Sequence, residues 1–315
     1  MSETGPPAPV VVHRVGPERA ADVVTVVHAA FGARPVLDPP STATDETVES
    51  VAATLAEHRG LLAVSGSVPV GAMLLEPAGH LLRMRRVSVD PHAQGSGVAG
   101  ALVGAAERVA EEEGYDGTVL AARAELPATV DFWGHLGYDE LQREGTWLTL
   151  AKALPVHVEA ATADDTRQLG KRLASVLRAG DLLILSGDLG AGKTTFTQGL
   201  GEGLGVRGAI TSPTFVISRV HPSLADGPAL VHVDAYRLGG IEELDDLDLD
   251  TSLDEAVTVV EWGEGVAEGL AETRLEVSIT RTVGGDPTGE DDVRHVRFIP
   301  VGARWIGAGL HQALA

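Results

Sequence analysis

The residues of this chain best suited to chemistry form a glycine-rich run that ends in a lysine and two threonines. Residues 187–195 read Gly-Asp-Leu-Gly-Ala-Gly-Lys-Thr-Thr and fit the pattern Gly-x-x-x-x-Gly-Lys-Ser/Thr. Glycines let backbone N–H groups turn inward around phosphate oxygens, and a helix that starts after the loop adds the positive end of its dipole. The run therefore predicts a loop that binds nucleotide phosphates. The predicted contact residues are Gly187, Asp188, Gly190, Ala191, Gly192, Lys193, Thr194 and Thr195.

Lys193 and Thr194 have the most specific roles in such a loop. The lysine ammonium is expected to reach the β- and γ-phosphates, and the Thr194 hydroxyl is expected to bind Mg²⁺. The apolar run at 182–185 precedes the loop and reads as a strand, and a helical pattern follows it. This is the context that the pattern requires, whereas a plain glycine-rich turn before a helix is the alternative.

Two acidic residues follow predicted strands in the same half of the chain. Asp234 comes directly after the apolar run Ala229–Val233, and Glu261 comes directly after Val257–Val260. Ligands of open α/β sheets bind at the carboxyl ends of the strands, so both carboxylates are candidate Mg²⁺ ligands. Glu261 is also a candidate to polarise the attacking water. The alternative for each is a carboxylate that caps the next helix.

The identity of the base is predicted from an absent residue type. The chain contains no Asn, so it cannot contain the Asn-Lys-x-Asp motif that recognises guanine. ATP is therefore the expected nucleotide.

A second candidate anion site lies in the first half. The segment Gln94-Gly95-Ser96-Gly97-Val98-Ala99 connects a predicted strand, Leu81–Val89, to a predicted helix, Val98–Glu113. Such a connection points several backbone N–H groups at one spot, where the helix N-terminus favours negative charge. By itself this turn is a weak signal for a pyrophosphate site.

Composition limits the classes of function. The formal net charge is −21, and the absence of Cys excludes disulfides, thiolate metal sites and cysteine nucleophiles. Because neither half is basic, direct nucleic-acid binding is not expected, and any tRNA would reach the protein through a partner. The chain has no apolar run of about 18 residues and no charged-then-apolar N-terminus, which predicts a cytoplasmic protein without a membrane role.

The length of 315 residues exceeds the usual size of one hydrophobic core and predicts two domains. The predicted organisation is a disordered start at 1–9, a mixed α/β domain at 10–153 and a second α/β domain at 157–315. In the second domain, strands alternate with helices, which indicates a mainly parallel sheet flanked by helices. Its predicted elements include a helix at Gly265–Leu270, an acidic helical stretch after residue 240 and a hairpin turn at 284–292.

The second half resembles the TsaE family, also called YjeE, of small bacterial ATPases. The resemblance covers about residues 157–315 and rests on four motifs in order. They are Gly-Asp-Leu-Gly-Ala-Gly-Lys-Thr-Thr at 187–195, Thr-Ser-Pro-Thr-Phe at 211–215, His-Val-Asp-Ala-Tyr-Arg at 232–237 and Val-Glu-Trp at 260–262. The resemblance implies a P-loop NTPase fold, Mg²⁺-associated roles for Asp234 and Glu261, and a switch loop that contains Thr214. Trp262 is expected beside the nucleotide or in the core.

The same resemblance implies a function and partners. Members of this family act with the TsaD–TsaB pair in forming threonylcarbamoyladenosine next to the anticodon of tRNA, and they hydrolyse ATP to reset that complex. The implied catalytic residues are Lys193, Glu261 and Thr214, with ATP and Mg²⁺ as cofactors. The acidic run at 242–250 is a candidate partner surface, and a solvated acidic helix is the alternative.

The first half resembles the GNAT acetyltransferases over about residues 10–153. Their pyrophosphate loop, Arg/Gln-x-x-Gly-x-Gly/Ala, is matched by Gln94, Gly97 and Ala99, and a later Phe-x-x-x-x-Gly-Phe-like stretch is matched at 132–138. The resemblance implies acetyl-CoA as cofactor, an amine or peptide N-terminus as acceptor, and a pantetheine that pairs with the strand around Val87–Val89. The implied acetyl-CoA residues are Val87, Val89, Gln94, Gly95, Gly97 and Ala99.

One position departs from the acetyltransferase pattern. Trp133 stands where many members have a Tyr that protonates the leaving thiolate, and an indole cannot do so usefully. Tyr138 is predicted to lie in the core, and Glu76 and His80 are candidate general bases. A CoA-binding module without turnover is therefore the alternative for this half.

Two further alternatives apply to the nucleotide-binding half. A small-molecule kinase with the same loop would normally need an Arg-rich lid, but the Arg residues after Lys193 are scattered along the sequence. A regulatory module would use the nucleotide only to switch its affinity for a partner.

Overall fold

In the described residues, two seven-stranded sheets, one in each half of the chain, organise the fold. The computed structural model of the protein describes residues 9–213, 216–237, 253–281 and 293–315. It divides into two units, Met1–Lys152 and Ala153–Ala315, and each unit is described by itself below. Among the described helices, none combines the length and apolar character needed to cross a membrane.

The first unit is a sheet of strand order β1-β2-β3-β4-β5-β7-β6 with helices packed on it. Neighbours from β1 to β4 pair antiparallel, and β4 and β5 pair parallel. Its strands are β1 Val10–Val15, β2 Arg59–Ser65, β3 Val68–Ala78, β4 Leu81–Val89, β5 Gly117–Arg123, β6 Asp139–Glu144 and β7 Trp147–Ala153. Its helices are α1 Ala20–Gly32, α2 Val48–Glu57, α3 Val98–Glu112 and α4 Pro127–His135.

Tertiary packing, rather than the helix propensity of its residues, stabilises helix α1. The helix is rich in Val, which loses side-chain freedom in a helix, but Val23 and Val27 are fully buried against the sheet. Helix α2, in contrast, has a strong local start signal. The side chains and backbone N–H groups of Thr47 and Ser50 form a reciprocal capping box.

Strands β4 and β5 part before they end. Their parallel pairing runs from Leu81–Met84 against Gly117–Leu120, whereas both strands continue beyond it. At the same place β4 shifts register against β3, and Arg86 takes a positive φ of 51°. Such a bulge bends a strand and frees its backbone groups from pairing. The rest of β4, including Val87 and Val89, therefore borders an opening in the sheet.

The second unit is a mixed sheet of strand order β10-β11-β12-β9-β13-β14-β8. The four central strands run parallel, while the pairs at both edges are antiparallel. Its strands are β8 Val156–Ala160, β9 Leu182–Ser186, β10 Ser218–His221, β11 Ala229–Asp234, β12 Ala256–Glu261, β13 Arg274–Arg281 and β14 Arg294–Val301. Its helices are α5 Ala163–Leu173, α6 Lys193–Leu204 and α7 Leu310–Leu314.

The centre of this sheet is buried on both faces. On one side, Phe196 and Leu200 of α6 pack with Val259 of β12. On the other side, Ile184 and Val260 belong to a separate apolar cluster. Burial on both faces explains why β9 is a continuous apolar run rather than an alternating one.

The predicted α/β fold class is confirmed, but several elements differ from the prediction. The helix expected at Gly265–Leu270 is only a 3₁₀ turn at Glu268–Leu270, because Gly265 adopts a positive φ of 79° that an α-helix excludes. Helices α2 and α7 and strands β6 and β10 were not predicted. The predicted acidic helical stretch and the turn at 284–292 lie outside the described residues.

Helices α5 and α6 approach each other so closely that glycine is required at their contact. A Cβ on Gly170 would lie 2.1 Å from the Phe196 carbonyl oxygen, and one on Gly199 would lie 1.8 Å from the Arg167 carbonyl oxygen. Real Cβ atoms do not approach backbone oxygen to such distances, so a substitution would force the two helices apart.

We predict that Gly170→Ala destabilises the second unit by about 1–3 kcal/mol, the usual cost of overpacking. Thermal unfolding of the full chain measures the effect. Gly104→Ala in α3 is the matched control, because its Cβ meets only the Arg108 guanidinium at 3.6 Å. That control should be neutral or slightly stabilising. Equal melting curves for both variants would contradict the close contact of α5 and α6.

Candidate active site

The parallel strands of the second unit bring the predicted site residues to one edge of the sheet. In the observed register Asp234 is the partner of Glu261, and Glu261 is the partner of Leu185. The segment 187–192 follows β9 at this edge and leads directly into α6 at Lys193. Residues separated by up to 74 positions in sequence thus meet because three strands end side by side.

The conformation of the loop at 187–192 depends on its glycines. Gly187, Gly190 and Gly192 have φ values of 139°, 79° and 115°, which L-residues rarely adopt. A Cβ on Gly187 would also lie 2.2 Å from the Ile279 carbonyl oxygen. On another part of the loop, Arg294 Nε donates a hydrogen bond to the Ala191 carbonyl oxygen at 3.1 Å. These constraints hold the loop in one conformation.

Lys193 lies at the start of α6 with its ammonium against the loop. Its Nζ donates hydrogen bonds to the carbonyl oxygens of Gly187 at 2.6 Å and Asp188 at 3.1 Å. The ammonium also lies 3.6 Å from the ring centroid of Trp262, so this indole is beside the loop. Burial lowers the pKa of the Lys193 ammonium, and nearby carboxylates, above all Glu261, oppose that shift.

Glu261 connects the loop to a neighbouring strand. Its Oε2 accepts a hydrogen bond from Thr194 Oγ1 at 3.1 Å, and its Oε1 lies 2.8 Å from His232 Nε2. The carboxylate is only 2% exposed, so each oxygen has a partner in a buried setting. The predicted pair Thr194 and Glu261 is therefore in direct contact.

Asp234 lies beside Glu261 but has different partners. Its Oδ2 accepts a hydrogen bond from Ser212 Oγ at 3.0 Å, and its Oδ1 accepts one from the Tyr236 N–H at 3.1 Å. The second contact caps the 3₁₀ turn Ala235–Arg237, so the alternative of a capping carboxylate applies to one of its two oxygens. Thr214, the predicted switch residue two positions after Ser212, lies outside the described residues.

The donor set at this edge fits Mg²⁺ and a nucleotide. The hydroxyl of Thr194 and the carboxylates of Asp234 and Glu261 are hard oxygen donors, which Mg²⁺ prefers. Across the described ranges, no group of three or more His, Cys, Asp or Glu forms a closed metal cage. Mg²⁺ at phosphate sites is bound by one or two carboxylates, waters and the phosphates themselves, so an open set of this kind suits it.

In the first unit, the loop before α3 is open and exposed. Gly95 and Gly97 have φ values of 76° and 81°, and a Cβ on either would meet no atom within 4 Å. Gln94 is exposed just before them, and Ala99 lies in the first turn of α3. No side chain that the structure describes caps the start of this 15-residue helix, which fits the binding of a diphosphate by its first backbone N–H groups.

The rim of the opening between β4 and β5 is held by arginines. Arg34 Nη2 donates to the Val87 carbonyl oxygen at 3.4 Å, and Arg86 is paired with Glu46 at 2.9 Å. On the β5 side, Arg123 donates to the carbonyl oxygens of Asp38 at 2.7 Å and Pro39 at 2.8 Å. The segment from Asp38 to Glu46 is thereby tied to both strands.

Tyr138, the tyrosine nearest to Trp133 in sequence, does not offer a free phenol at this opening. Trp133 is buried and contacts the Tyr138 ring edge-on at 5.0 Å. Tyr138 lies in the core as predicted, with its hydroxyl 2.7 Å from Thr118 Oγ1 and 3.2 Å from Glu107 Oε1. Burial, followed by the charge of Glu107, raises the Tyr138 pKa far above its usual value, which keeps the phenol protonated. The candidate base Glu76 is occupied by an ion pair with Arg85.

Three residues at the second unit's site had no predicted role. His232 and Ser212 lie inside quoted motifs, and the strand alternation that places His232 on the same face as Asp234 is a signal that could have found it. Arg294 lies more than 100 positions after the loop that it contacts. No sequence pattern identifies it.

Comparison with known proteins gives two family matches. The family model "Threonylcarbamoyl adenosine biosynthesis protein TsaE" matches residues 160–286. The model "Acetyltransferase (GNAT) family" matches residues 31–138.

Two relatives and one solved structure illustrate these matches. The "tRNA threonylcarbamoyladenosine biosynthesis protein TsaE" of Streptomyces coelicolor is 66% identical over 143 residues, which are 45% of this chain and 95% of the relative. The protein of the same name from Bacillus subtilis is 40% identical over 144 residues, 45% of this chain and 84% of the relative. The structure of a PaiA N-acetyltransferase from Thermoplasma acidophilum in complex with coenzyme A is 13% identical, with a TM-score of 0.42, over 46% of this chain and 99% of that chain.

These matches agree with the resemblances drawn from the motifs. The TsaE match contains the loop at 187–195, Asp234 and Glu261, and the GNAT match contains β4 and the loop before α3. Through its second unit the chain belongs to the TsaE family, and its first unit carries a domain of the GNAT acetyltransferase family.

Proposed function

We propose that the second unit binds and hydrolyses ATP with Mg²⁺, and that it acts with the TsaD–TsaB pair in forming threonylcarbamoyladenosine in tRNA in the cytoplasm. The observation that carries this proposal is the contact of Thr194 Oγ1 with Glu261 Oε2 at 3.1 Å, beside the Lys193 ammonium. The names of the relatives refer to the same biosynthesis. With a net charge of −21, the chain would reach tRNA only through its partners.

Each residue at the sheet edge has a distinct part in this proposal. The N–H groups of residues 187–195 and the Lys193 ammonium would bind the β- and γ-phosphates. Thr194, Asp234 and Glu261 would hold Mg²⁺, directly or through its waters. When bound, Mg²⁺ neutralises charge on the phosphate oxygens. Glu261 would also polarise the attacking water, because its carboxylate contacts the Thr194 hydroxyl and therefore lies at the proposed Mg²⁺ site.

The predicted switch loop remains part of the proposal. Thr214 is proposed to respond to the γ-phosphate. Support comes from its neighbour Ser212, whose hydroxyl donates to Asp234 Oδ2 at 3.0 Å. A change of ligands at Asp234 would therefore alter its hydrogen bond to Ser212 and the position of the segment that leads into Thr214.

The first test measures ATP hydrolysis by the full chain alone, with its TsaD–TsaB pair, and with the pair plus tRNA. We expect slow hydrolysis alone and strong stimulation by the pair. Lys193→Ala should abolish turnover without unfolding the chain, because Lys193 contacts loop carbonyls and an indole rather than filling the core. Phosphate transfer to a metabolite without stimulation would favour the kinase alternative, and nucleotide-dependent partner binding without hydrolysis would favour the regulatory module.

A second prediction concerns Glu261→Gln. We expect hydrolysis to fall roughly 100-fold or more, since an amide cannot polarise water as a carboxylate does. ATP affinity should change much less, because Lys193 and the loop remain in place. Single-turnover hydrolysis and calorimetric ATP binding separate the two effects. Equal losses in both would assign Glu261 a structural role.

We further propose that the first unit binds acetyl-CoA and transfers its acetyl group to an amine or a peptide N-terminus. The diphosphate would bind at Gln94, Gly95, Gly97 and Ala99, and the pantetheine would pair with Val87 and Val89 along the part of β4 that extends beyond its pairing with β5. Trp133 and the buried Tyr138 do not offer a proton to the thiolate. The leaving thiolate would then take its proton from solvent, which would reach it through the opening between β4 and β5.

The acetyl-CoA prediction is tested by Gly97→Val. A β-branched residue does not tolerate φ of 81°, and its side chain would enter the space in front of the α3 N-terminus. We expect acetyl-CoA affinity to fall about tenfold or more, with ATP hydrolysis unchanged. Gly79→Val is the matched control, because Gly79 has φ of 64° in the β3–β4 turn and also faces open space.

Acceptor panels complete that test. Release of CoA with amines or peptide N-termini would establish transfer. Tight acetyl-CoA binding with no release across the panel would instead support a binding module without turnover.

A further inference from the structure

Two side chains from different elements of the second unit contact the oxygens of the Glu261 carboxylate. Thr194 Oγ1 comes from the first turn of α6, directly after the loop at 187–192, and His232 Nε2 comes from strand β11, which pairs with β12. The His232 ring has no solvent exposure, so it is fixed by the core. We propose that His232 is a positioning residue that fixes the Glu261 carboxylate for ATP hydrolysis. This inference rests on the ATPase function proposed above.

The strand geometry explains why His232 reaches Glu261. His232 lies two residues before Asp234, and successive side chains of a strand alternate between faces, so both project from the same face of β11. Its register partner on β12 is Val259, two residues before Glu261. The imidazole therefore lies two residues before the carboxyl end of β11, and its Nε2 contacts Oε1 of the Glu261 carboxylate.

The partners of the ring indicate which nitrogen carries the proton. His232 Nδ1 is buried and has no hydrogen-bond partner in the described part of the chain. With its proton on Nε2, the ring donates to Glu261 Oε1 and leaves only the Nδ1 lone pair without a partner in that part of the chain.

This donor has a consequence for the reaction. With Oε1 bound to a group fixed in the core, the Glu261 carboxylate cannot rotate freely, and Oε2 stays directed at Thr194. Without His232, Oε1 would be buried without its donor, and the carboxylate would be free to turn. Loss of a hydrogen bond that orients a metal-associated ligand costs about 10- to 100-fold in activity or metal affinity.

The test compares His232→Phe, His232→Gln and His221→Phe in the full chain with TsaD–TsaB. Phe removes the donor at similar volume, whereas the Gln amide nitrogen can replace Nε2. His221 is a matched control because it is 4% exposed on the adjacent strand β10 and does not contact Glu261. We expect kcat to fall about 10- to 100-fold with Phe, less with Gln and not with His221→Phe. The KM for ATP should stay nearly constant.

Binding provides a readout that a merely structural role would not change. ATP affinity in EDTA should match the wild type, while the gain in affinity on adding Mg²⁺ should shrink in His232→Phe. Thermal unfolding reports on folding of each variant. If the Phe chain does not fold, His232→Asn replaces it, because an Asn amide is too short to reach Glu261.

A double-mutant cycle tests whether His232 acts through Glu261. If it does, His232→Phe should add little to the loss already caused by Glu261→Gln. Multiplicative losses would overturn the inference, as would wild-type kcat in His232→Phe, and in both cases the ATPase proposal would stand if Lys193→Ala remains inactive. A wild-type chain that does not bind ATP would instead overturn the proposed function and this inference with it.

Discussion

The second unit depends on the parallel pairing of β9, β12 and β11. Because parallel strands end at the same edge, their register places Leu185, Glu261 and Asp234 side by side. The loop after β9 and the carboxylates after β11 and β12 then share one small volume. Helix α6 starts in the same place, since it continues from that loop. Shifting one strand by a single residue would turn its carboxylate to the opposite face.

Burial makes the charged groups of this arrangement energetically costly. Lys193, Asp234 and Glu261 are 5%, 3% and 2% exposed, and charges so little hydrated persist only when they are paired and hydrogen-bonded. Each of them has such partners, supplied by loop carbonyls, by hydroxyl groups or by an imidazole. The same contacts that make the charges tolerable also fix their positions. A site of this kind needs little rearrangement when charge develops in a reaction.

The candidate ligand site of the first unit depends instead on an interruption of strand pairing. Strands β4 and β5 pair over four residues each and then part at the bulge around Arg86, so backbone groups become available to a ligand inside a sheet. Trp133 and Tyr138 pack against each other, and the tyrosine hydroxyl is committed to Thr118 and Glu107. The sequence departure at Trp133 thus coincides with a neighbouring phenol whose hydroxyl is already engaged.

Local pattern alone determined much of this protein. The loop at 187–195 and the strands before it and before Asp234 and Glu261 follow from spacing along the chain, because loop and strand preferences act over a few residues. Strand β6 escaped prediction because all six of its residues are exposed, so no alternation of apolar and polar residues marks it, and helix α2 escaped prediction although Thr47 and Ser50 give it a local start signal. Only the tertiary structure decided that Glu261 contacts both Thr194 and His232, that Arg294 contacts the loop at 187–192, and that Asp234 is partly engaged by Ser212. Those contacts join segments brought together by strand order and register, which no local pattern encodes.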